Sequence, residues 1–326
     1  MLILSLWTLM FLSALALAVG AHVSAGIRMA SDLQDETVAA AAARGAMERS
    51  LDILMSDTNT WDSFDEAWAG GSGGPEDSWP GAGRGSVTGL RRAGDGASIT
   101  NGGLVDEESR VNLNRADEPL LAALFLVAGG LGRQDADALA RRTVEWRTAE
   151  TRHDGLTADS GGAYDRGSGK VYAGGAPFSC VEEWRLVKGV DDRVYAACAP
   201  HLTVWGNGKL NVNTAGETVW VALGRRWGGD PSVAASLART LVRYREAGGV
   251  FDSASAPDMA RKLGEAVELT SSESTLLRMM ARSAQCRSSF YGGTAEGRAR
   301  ESAPVRFRMA FVVSKEKGQW VDGYEY

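Results

Sequence analysis

The hydrophobic pattern divides the chain into an apolar head and a mixed body. Residues 1–27 contain no Asp, Glu, Lys or Arg, and the first charge is Arg28. A helix of this length reaches about 40 Å, which exceeds the bilayer core of about 30 Å. Acidic residues follow at 31–36, and Ala-rich, helix-favouring sequence continues to about Met55. The pattern predicts one long helix, apolar in its first half and amphipathic in its second, that ends near Ser56.

Three interpretations of this head stay open on the residues alone. A cleaved secretory signal has a basic start, an apolar run of about 7–15 residues and a small-x-small cleavage site. Residues 14–16 and 16–18 fit such a site, but no basic residue precedes the run and the run continues past them. The other two interpretations are an uncleaved signal anchor and the retained head of a type IV pilin-like subunit.

Strand patterns surround the middle of the chain. A Gly-, Ser- and Pro-rich stretch at residues 70–85 predicts a surface loop. Short strands are predicted before and after the middle by alternating apolar and polar positions or by β-favouring composition. The predicted strands are residues 86–90, 97–100, a segment beginning at 288, 305–313 and 319–326. The last two are separated by a turn at 314–318, which predicts a hairpin in an antiparallel sheet.

The middle of the chain repeats itself. Residues 110–116 return as residues 209–215 with an offset of 99, and a second set of matches follows with an offset of 98. This similarity predicts a duplicated helical unit, at about residues 110–147 and 209–245. The second helix of each copy has apolar positions at helical spacing, which we expect in a core. These positions are Leu139, Thr143 and Trp146 in the first copy, and Leu237, Leu241 and Tyr244 in the second.

Helix boundaries follow from capping residues. Asn114 and Asn213 each precede a helical pattern, and Asn accepts the free amide hydrogens of a first helical turn. In the second copy Thr214 and Glu217 also have capping-box spacing, so the capping residue there stays open. Between the copies, residues 177–204 predict a helical hairpin that leads to a strand.

Composition narrows the classes of partner and chemistry. The net charge is −6, and an acidic chain disfavours a nucleic-acid partner because phosphate binding needs clustered Lys and Arg. The three cysteines have no CxxC spacing, which disfavours zinc. They form one disulfide, with Cys180–Cys198 the pair nearest in sequence, or stay three free thiols. The three histidines form no HExxH motif or His-Cys cluster, so we expect no enzyme.

Three segments resemble the type II secretion minor pseudopilin K family, in the same order. They are SRVNLNRAD, VEEWRLVKGVDDRVYAACAPHLTV and GKLNVNTA. The resemblance implies an α+β class: a type IV pilin-like fold, with a long N-terminal helix and antiparallel sheet, and a large helical domain inserted in the sheet. We therefore divide the chain into a transmembrane head (1–27), its amphipathic continuation (28–58), a loop with the first strands (59–109), the inserted domain (110–275) and the C-terminal strands (276–326).

The same resemblance implies a role and partners. It implies a non-enzymatic subunit at the tip of the type II secretion pseudopilus, which initiates or caps the filament together with the minor pseudopilins I and J. It also implies an inner-membrane anchor with a periplasmic body, and processing of the precursor by prepilin peptidase. Most pilins carry Glu at mature position five, where this chain has Ser5. The K family characteristically lacks that Glu.

A calcium site is the one metal site that the sequence suggests. Asp154, Asp159 and Asp165 lie in a Gly-rich loop, and calcium takes six to eight oxygen ligands from carboxylates and carbonyls. The resembling family binds calcium in its helical domain, near an acidic Gly-Ala-Glu-Asp-like run. This chain has Gly-Ala-Tyr-Asp at 162–165, one carboxylate fewer. The alternative is a solvated acidic loop without an ion.

The repeat also resembles the helix-hairpin-helix modules of competence DNA receptors. This alternative makes the chain a membrane-tethered DNA-binding protein. One candidate hairpin, residues 188–192, has two carboxylates that repel phosphate. The other, residues 224–231, contains Arg225 and Arg226, which leaves the alternative open.

Overall fold

The computed structural model describes residues 2–70, 77–79, 83–92, 98–148, 165–166, 170–171, 175–299 and 306–325. It begins with α1 (Leu2–Ser56), a single helix of 55 residues. The apolar head and its Ala-rich continuation therefore form the one helix that the hydrophobic pattern predicts. It ends at Ser56, as predicted.

The remaining elements fall into strands before an insert, the insert itself, and strands after it. They are β1 (Asp77–Trp79), β2 (Gly83–Arg92), β3 (Ser98–Asn101), β4 (Val105–Asp106), β5 (Val111–Asn112), α2 (Glu118–Val127), α3 (Arg133–Thr148), β6 (Asp165–Arg166), β7 (Lys170–Val171), α4 (Asp192–Cys198), β8 (Leu202–Thr203), β9 (Leu210–Asn211), α5 (Glu217–Arg226), α6 (Pro231–Glu246), α7 (Ala256–Gly264), α8 (Ser271–Met280), β10 (Ala284–Gln285), β11 (Phe290–Arg298), β12 (Arg306–Ser314) and β13 (Gln319–Glu325).

Within the described residues, the main sheet has seven strands, and all of its strand pairs are antiparallel. Its central order is β1-β2-β11-β12-β13, with β3 paired to β2 and β4 paired to β11. The strands β2 and β11 are neighbours although the helical insert separates them in sequence. The long helix, the sheet and the insert confirm the predicted α+β, pilin-like fold.

The second half of α1 packs on one face of this sheet. Small side chains of α1 line the contact, and four of them are buried: Ala39, Ala42, Ala43 and Ala46. Glycines oppose them on the strands. A Cβ atom on Gly85 would overlap the Ala42 carbonyl oxygen, and one on Gly297 would overlap the Ala39 carbonyl oxygen. The helix and sheet backbones therefore approach each other more closely than larger residues would allow.

The insert consists of two copies of one unit. Each copy begins with a two-residue strand and continues into helices of 10 and 16 residues: β5, α2 and α3 in the first, and β9, α5 and α6 in the second. Each copy ends with a strand that pairs in parallel with its own first strand, β8 with β5 and β10 with β9. The structural repeat therefore continues beyond the residues whose sequences match.

The two copies share a pair of hydrogen bonds made by an asparagine side chain that does not cap a helix. Asn114 exchanges two hydrogen bonds with the backbone of Phe178, and Asn213 exchanges two with the backbone of Phe251. The predicted N-cap role of Asn114 is wrong, and of the two residues left open in the second copy, Asn213 and Thr214, neither is the N-cap. The N-caps are Asp117 for α2 and Gly216 for α5, since each asparagine instead bonds to a distant loop.

The predicted core positions of the insert are buried, with one exception. Leu139, Thr143, Trp146, Leu237 and Leu241 are each at most 2% exposed. Tyr244 is partly buried and packs against this core. All three cysteines are free thiols, with Cys198 and Cys286 buried and Cys180 half-buried. The fold therefore has the free thiols rather than a Cys180–Cys198 bridge.

Candidate assembly surface and domain junction

The first half of α1 is a continuous apolar surface. Its residues are exposed from Leu2 onward, and no part of its most hydrophobic 18-residue window, with a mean hydropathy of 2.3, is buried. It is long and apolar enough to cross a membrane. The hydroxyls of Ser5, Thr8 and Ser13 donate to carbonyl oxygens of the preceding turn, at 2.8–2.9 Å. These polar groups are thus satisfied within the helix and leave its surface compatible with lipid or with other apolar helices.

The helical insert joins the sheet at the opposite end of the molecule from this apolar surface. The chain enters the insert after β4 and returns at β11, where Tyr291 pairs with Asp106. Just beyond the end of α1, the Asp62 amide donates to the Cys286 carbonyl at 2.8 Å. The apolar end of α1 and the insert therefore lie at opposite ends of α1.

Three consecutive carboxylates form the junction between sheet and insert. Asp106, Glu107 and Glu108 are 0%, 6% and 2% exposed. Asp106 accepts hydrogen bonds from Asn211 Nδ2 at 2.9 Å and Ser288 Oγ at 2.7 Å, and also from the Thr214 hydroxyl. The carboxylate of Asp106 thus connects the sheet, the second copy of the insert and the chain that returns from it.

The two glutamates connect further segments. Glu107 accepts from the Thr203 hydroxyl at 2.7 Å and pairs with Arg110 at 3.1 Å. Glu108 accepts from the backbone amides of Asn207 at 3.1 Å and Ser289 at 2.6 Å. Buried polar groups of this kind are costly unless every one is paired, so the junction fixes one position of the insert on the sheet.

Burial changes the acidity of this junction. Desolvation raises the pKa of Asp106 to about 7, although the hydrogen bonds from Thr214 and Ser288 act in the opposite direction. Desolvation also raises the pKa of Glu108, against the hydrogen bonds from Ser289 and Asn207. The junction is therefore expected to respond to pH.

A buried lysine lies next to the junction. Lys315 Nζ is 2.8 Å from Asp57 Oδ2 and 2.5 Å from Asp62 Oδ1, and Asp62 is fully buried. With Glu66, these aspartates are the one carboxylate group in the described part of the chain with the spacing of a metal site. The ammonium of Lys315 already supplies the positive charge that the two aspartates need. We therefore assign them a structural role.

The predicted calcium ligands cannot be placed in this geometry. Asp154 and Asp159 lie outside the described residues, and of Asp165 only the backbone is described, in β6. The calcium site stays a prediction.

The residues considered for DNA binding have other partners. In the first hairpin, Asp191 caps α4 by accepting from the Val194 amide at 2.7 Å. In the second, Arg226 donates three hydrogen bonds to Asp117 at 2.7–2.9 Å and stacks on Trp227. The guanidinium of Arg226 is therefore neutralised within the insert, which leaves Arg225 as the basic side chain of that hairpin.

Sequence reasoning missed the junction carboxylates. A run of Asp and Glu ordinarily indicates a solvated surface. The usable signal was their position between the end of a predicted strand and the start of the repeat. Each carboxylate accepts from residues that lie 96 or more positions away, in addition to short-range bonds from Arg110 and from the Glu108 amide.

The long helix, the antiparallel sheet and the exposed apolar head define a pilin-like protein with a helical insert. Residues 103–207 match the family model of type II secretion system (T2SS), protein K. This range begins before β4 and ends after β8, so it covers the junction and the first copy of the insert. The match confirms the resemblance to the minor pseudopilin K family that the sequence motifs predict. The chain therefore contains, over these residues, a domain of the type II secretion protein K family.

One solved structure is similar over nearly the whole chain. It is a chain of the GspK-GspI-GspJ complex from the type 2 secretion system of enterotoxigenic Escherichia coli. The TM-score is 0.61 at 15% sequence identity, and the match covers 94% of this chain and 99% of that one. At this identity the similarity shows a shared fold. No curated protein sequence matches the chain.

Proposed function

We propose that this protein is a minor pseudopilin that lies at the tip of the type II secretion pseudopilus, where it initiates and caps the filament. The observation that carries the proposal is the separation of its two functional parts along α1. The apolar half of the helix is at one end, free to pack with other helices or with lipid. The helical insert joins the sheet beyond the other end, through Asp106 and Asp62.

We base the capping role on steric obstruction by the insert. A filament grows when one subunit stacks on the next, and here the insert between β4 and β11 occupies that end of the sheet. Addition of a further subunit above it is obstructed. The similar chain belongs to a GspK-GspI-GspJ complex, which supports the I and J types of minor pseudopilin as the direct neighbours of this one. We further propose an inner-membrane anchor, a periplasmic body, processing by prepilin peptidase and no nucleic-acid partner.

Deletion of residues 115–270 tests the capping role. The shortened protein should still bind its pseudopilin partners through α1, enter filaments at internal positions and lower secretion. Co-purification with the I and J partners serves as the control that the remaining pilin part has folded. Unchanged secretion by a deletion variant that still binds its partners would contradict the capping role.

We retain calcium as a proposed ligand of the loop that contains Asp154, Asp159 and Asp165. A ligand that binds only the folded state raises its stability. Calcium should therefore raise the melting temperature of the wild type, and a chelator should lower it. The Asp154→Asn and Asp159→Asn variants should lose this response. A melting temperature insensitive to both additions would remove the site.

A further inference from the structure

A groove of about 290 Å³ lies between the sheet and the insert. Its floor is the face of the sheet that points away from α1. Two cross-strand rows form this floor: Thr88, Thr294 and Ala310 in one, and Gly292, Val312 and Asp322 in the other. These side chains are small, so the floor is open to a ligand that approaches along the strands.

The insert forms the opposite wall. Val181 and Glu182 line it from the short 3-10 helix Val181–Leu186, Cys180 lines it from the position just before that helix, and Tyr195 lines it from α4. The groove is fixed in shape because Glu107 lies directly over Gly292, where a Cβ atom would overlap the carboxylate. Both domains therefore contribute to one cavity, whose position the buried junction holds.

The charge of the groove is negative. Arg110 lines it but is paired with Glu107, which also lines it. Glu182 and Asp322 add two carboxylates that form no ion pair with any residue in the described part of the chain. The ring of Tyr195 is already covered by the guanidinium of Arg185, 3.6 Å from its centre, and Arg185 is itself paired with Asp192. The carboxylates of Glu182 and Asp322 are therefore the groups that favour a cation.

We propose that this sheet–insert groove binds a Lys or Arg side chain carried on an extended segment of a partner protein. The volume lies at the lower limit of small-molecule pockets, about 300 Å³, which suits one long side chain better than a whole ligand. The small residues of the floor leave room for the backbone of that segment. Glu182 from the insert and Asp322 from β13 neutralise its positive charge from two sides. This inference concerns a face away from α1 and does not depend on the tip position.

A peptide of the sequence Thr-Val-Arg-Val-Thr with a fluorescent label provides the probe. Its binding to the full-length protein in detergent is followed by fluorescence anisotropy. The matched peptide has citrulline in place of Arg, which keeps the shape and removes the charge. The test variant is the double substitution Glu182→Gln with Asp322→Asn. The control variant is Glu246→Gln with Glu268→Gln, which removes two exposed carboxylates outside the groove.

We expect the Arg peptide to bind wild type about tenfold more tightly than the citrulline peptide, a difference of about 1.4 kcal/mol. The groove variant should lose most of this preference and melt at the wild-type temperature, whereas the control variant should keep it. Absence of binding by the Arg peptide, equal binding of the two peptides, or equal loss in the control variant would each overturn the proposal.

Discussion

The Cα atom of Gly297 lies against the backbone carbonyl of Ala39, so close that a side chain at position 297 would overlap the carbonyl oxygen. On the neighbouring strand β2, Gly85 lies equally close to the backbone carbonyl of Ala42 in α1. The alanine face of α1 and these two glycines thus determine how deeply the helix sits on the sheet. Because the same helix carries the apolar head, this contact also sets the direction in which the head leaves the body.

Gly297→Ala tests this close packing. The added methyl group cannot be accommodated without moving α1 away from the sheet, and overpacking of this kind costs about 1–3 kcal/mol. We expect a lower midpoint in urea denaturation of the full-length protein. Gly264→Ala is the matched control, because the Cβ atom there meets nothing within 4 Å and Ala is favoured over Gly in a helix. Equal effects of the two variants would contradict the packing argument.

The two asparagine clamps of the insert should differ in their energetic weight. Asn213 is buried and bonds to the backbone of buried Phe251, whereas Asn114 is only half-buried. Loss of either side chain leaves a backbone amide and a carbonyl without their partner. Water can replace the partner more readily at position 114. We expect Asn213→Ala to destabilise by about 2–4 kcal/mol and Asn114→Ala by about half as much, measured by chemical denaturation. The reverse order would refute this assignment.

The buried ion pair between Lys315 and Asp62 supplies a second stability prediction. Removal of one partner leaves an unpaired buried charge, which typically costs about 3–5 kcal/mol. Lys315→Met should therefore destabilise strongly. The double variant with Asp62→Asn should recover a large part of the loss, because the fully buried charge is then removed and only the less buried carboxylate of Asp57 remains. If the double variant is as unstable as the single one, the ion pair does not explain the role of Lys315.

Asp106 predicts how stability varies with pH. Its pKa is raised from 3.8 to about 7. Between these values the folded protein holds a proton that the unfolded chain has released. The contribution of Asp106 is thus fully present below about pH 4 and is lost as the pH rises to about 7, a loss of at most about 4 kcal/mol. The pKa of Glu108 is shifted in the same direction.

Asp106→Asn should therefore flatten the pH dependence of the melting temperature between about pH 4.5 and about pH 7.5. The variant is also expected to be less stable at every pH, because in either orientation its amide nitrogen would face a donor, either the Glu108 amide or the groups of Asn211 and Ser288. The diagnostic quantity is consequently the slope with pH rather than the stability at one pH. Glu268→Gln, at an exposed position, is the control and should keep the wild-type slope. An unchanged slope in Asp106→Asn would show that another group titrates.

The sequence indicated those parts of the fold whose pattern is local. The apolar head, the end of α1 near Ser56 and the C-terminal hairpin around residues 314–318 all follow from runs or alternation within a few residues. The duplication was also visible, because identical residues at a fixed offset need no knowledge of contacts. The later part of each copy could not be recognised from the sequence. Phe178 and Phe251 occupy equivalent places, yet unequal loop lengths remove the fixed offset.

The sequence did not indicate the junction, for a different reason. Asp106 has the composition of a surface residue, and its burial depends on Asn211 and Ser288, which the chain brings to it over more than 100 residues. The asparagines were not recognised as clamps between distant segments for the same reason. Asn114 has the local context of a cap, but a hydrogen-bonding partner at Phe178, 64 residues away, determines its conformation. Local sequence cannot indicate such partners.

The proposed position at the filament tip is tested by locating the insert on isolated filaments. A short epitope placed after Val267, a half-exposed residue between α7 and α8, should leave the core of the insert intact, and gold-labelled antibody then reports its position by electron microscopy. The same epitope on the major pseudopilin is the control for labelling along the filament. We expect gold at one end of each filament. Gold distributed along the filaments, or filaments without gold in cells that produce the tagged protein, would contradict it.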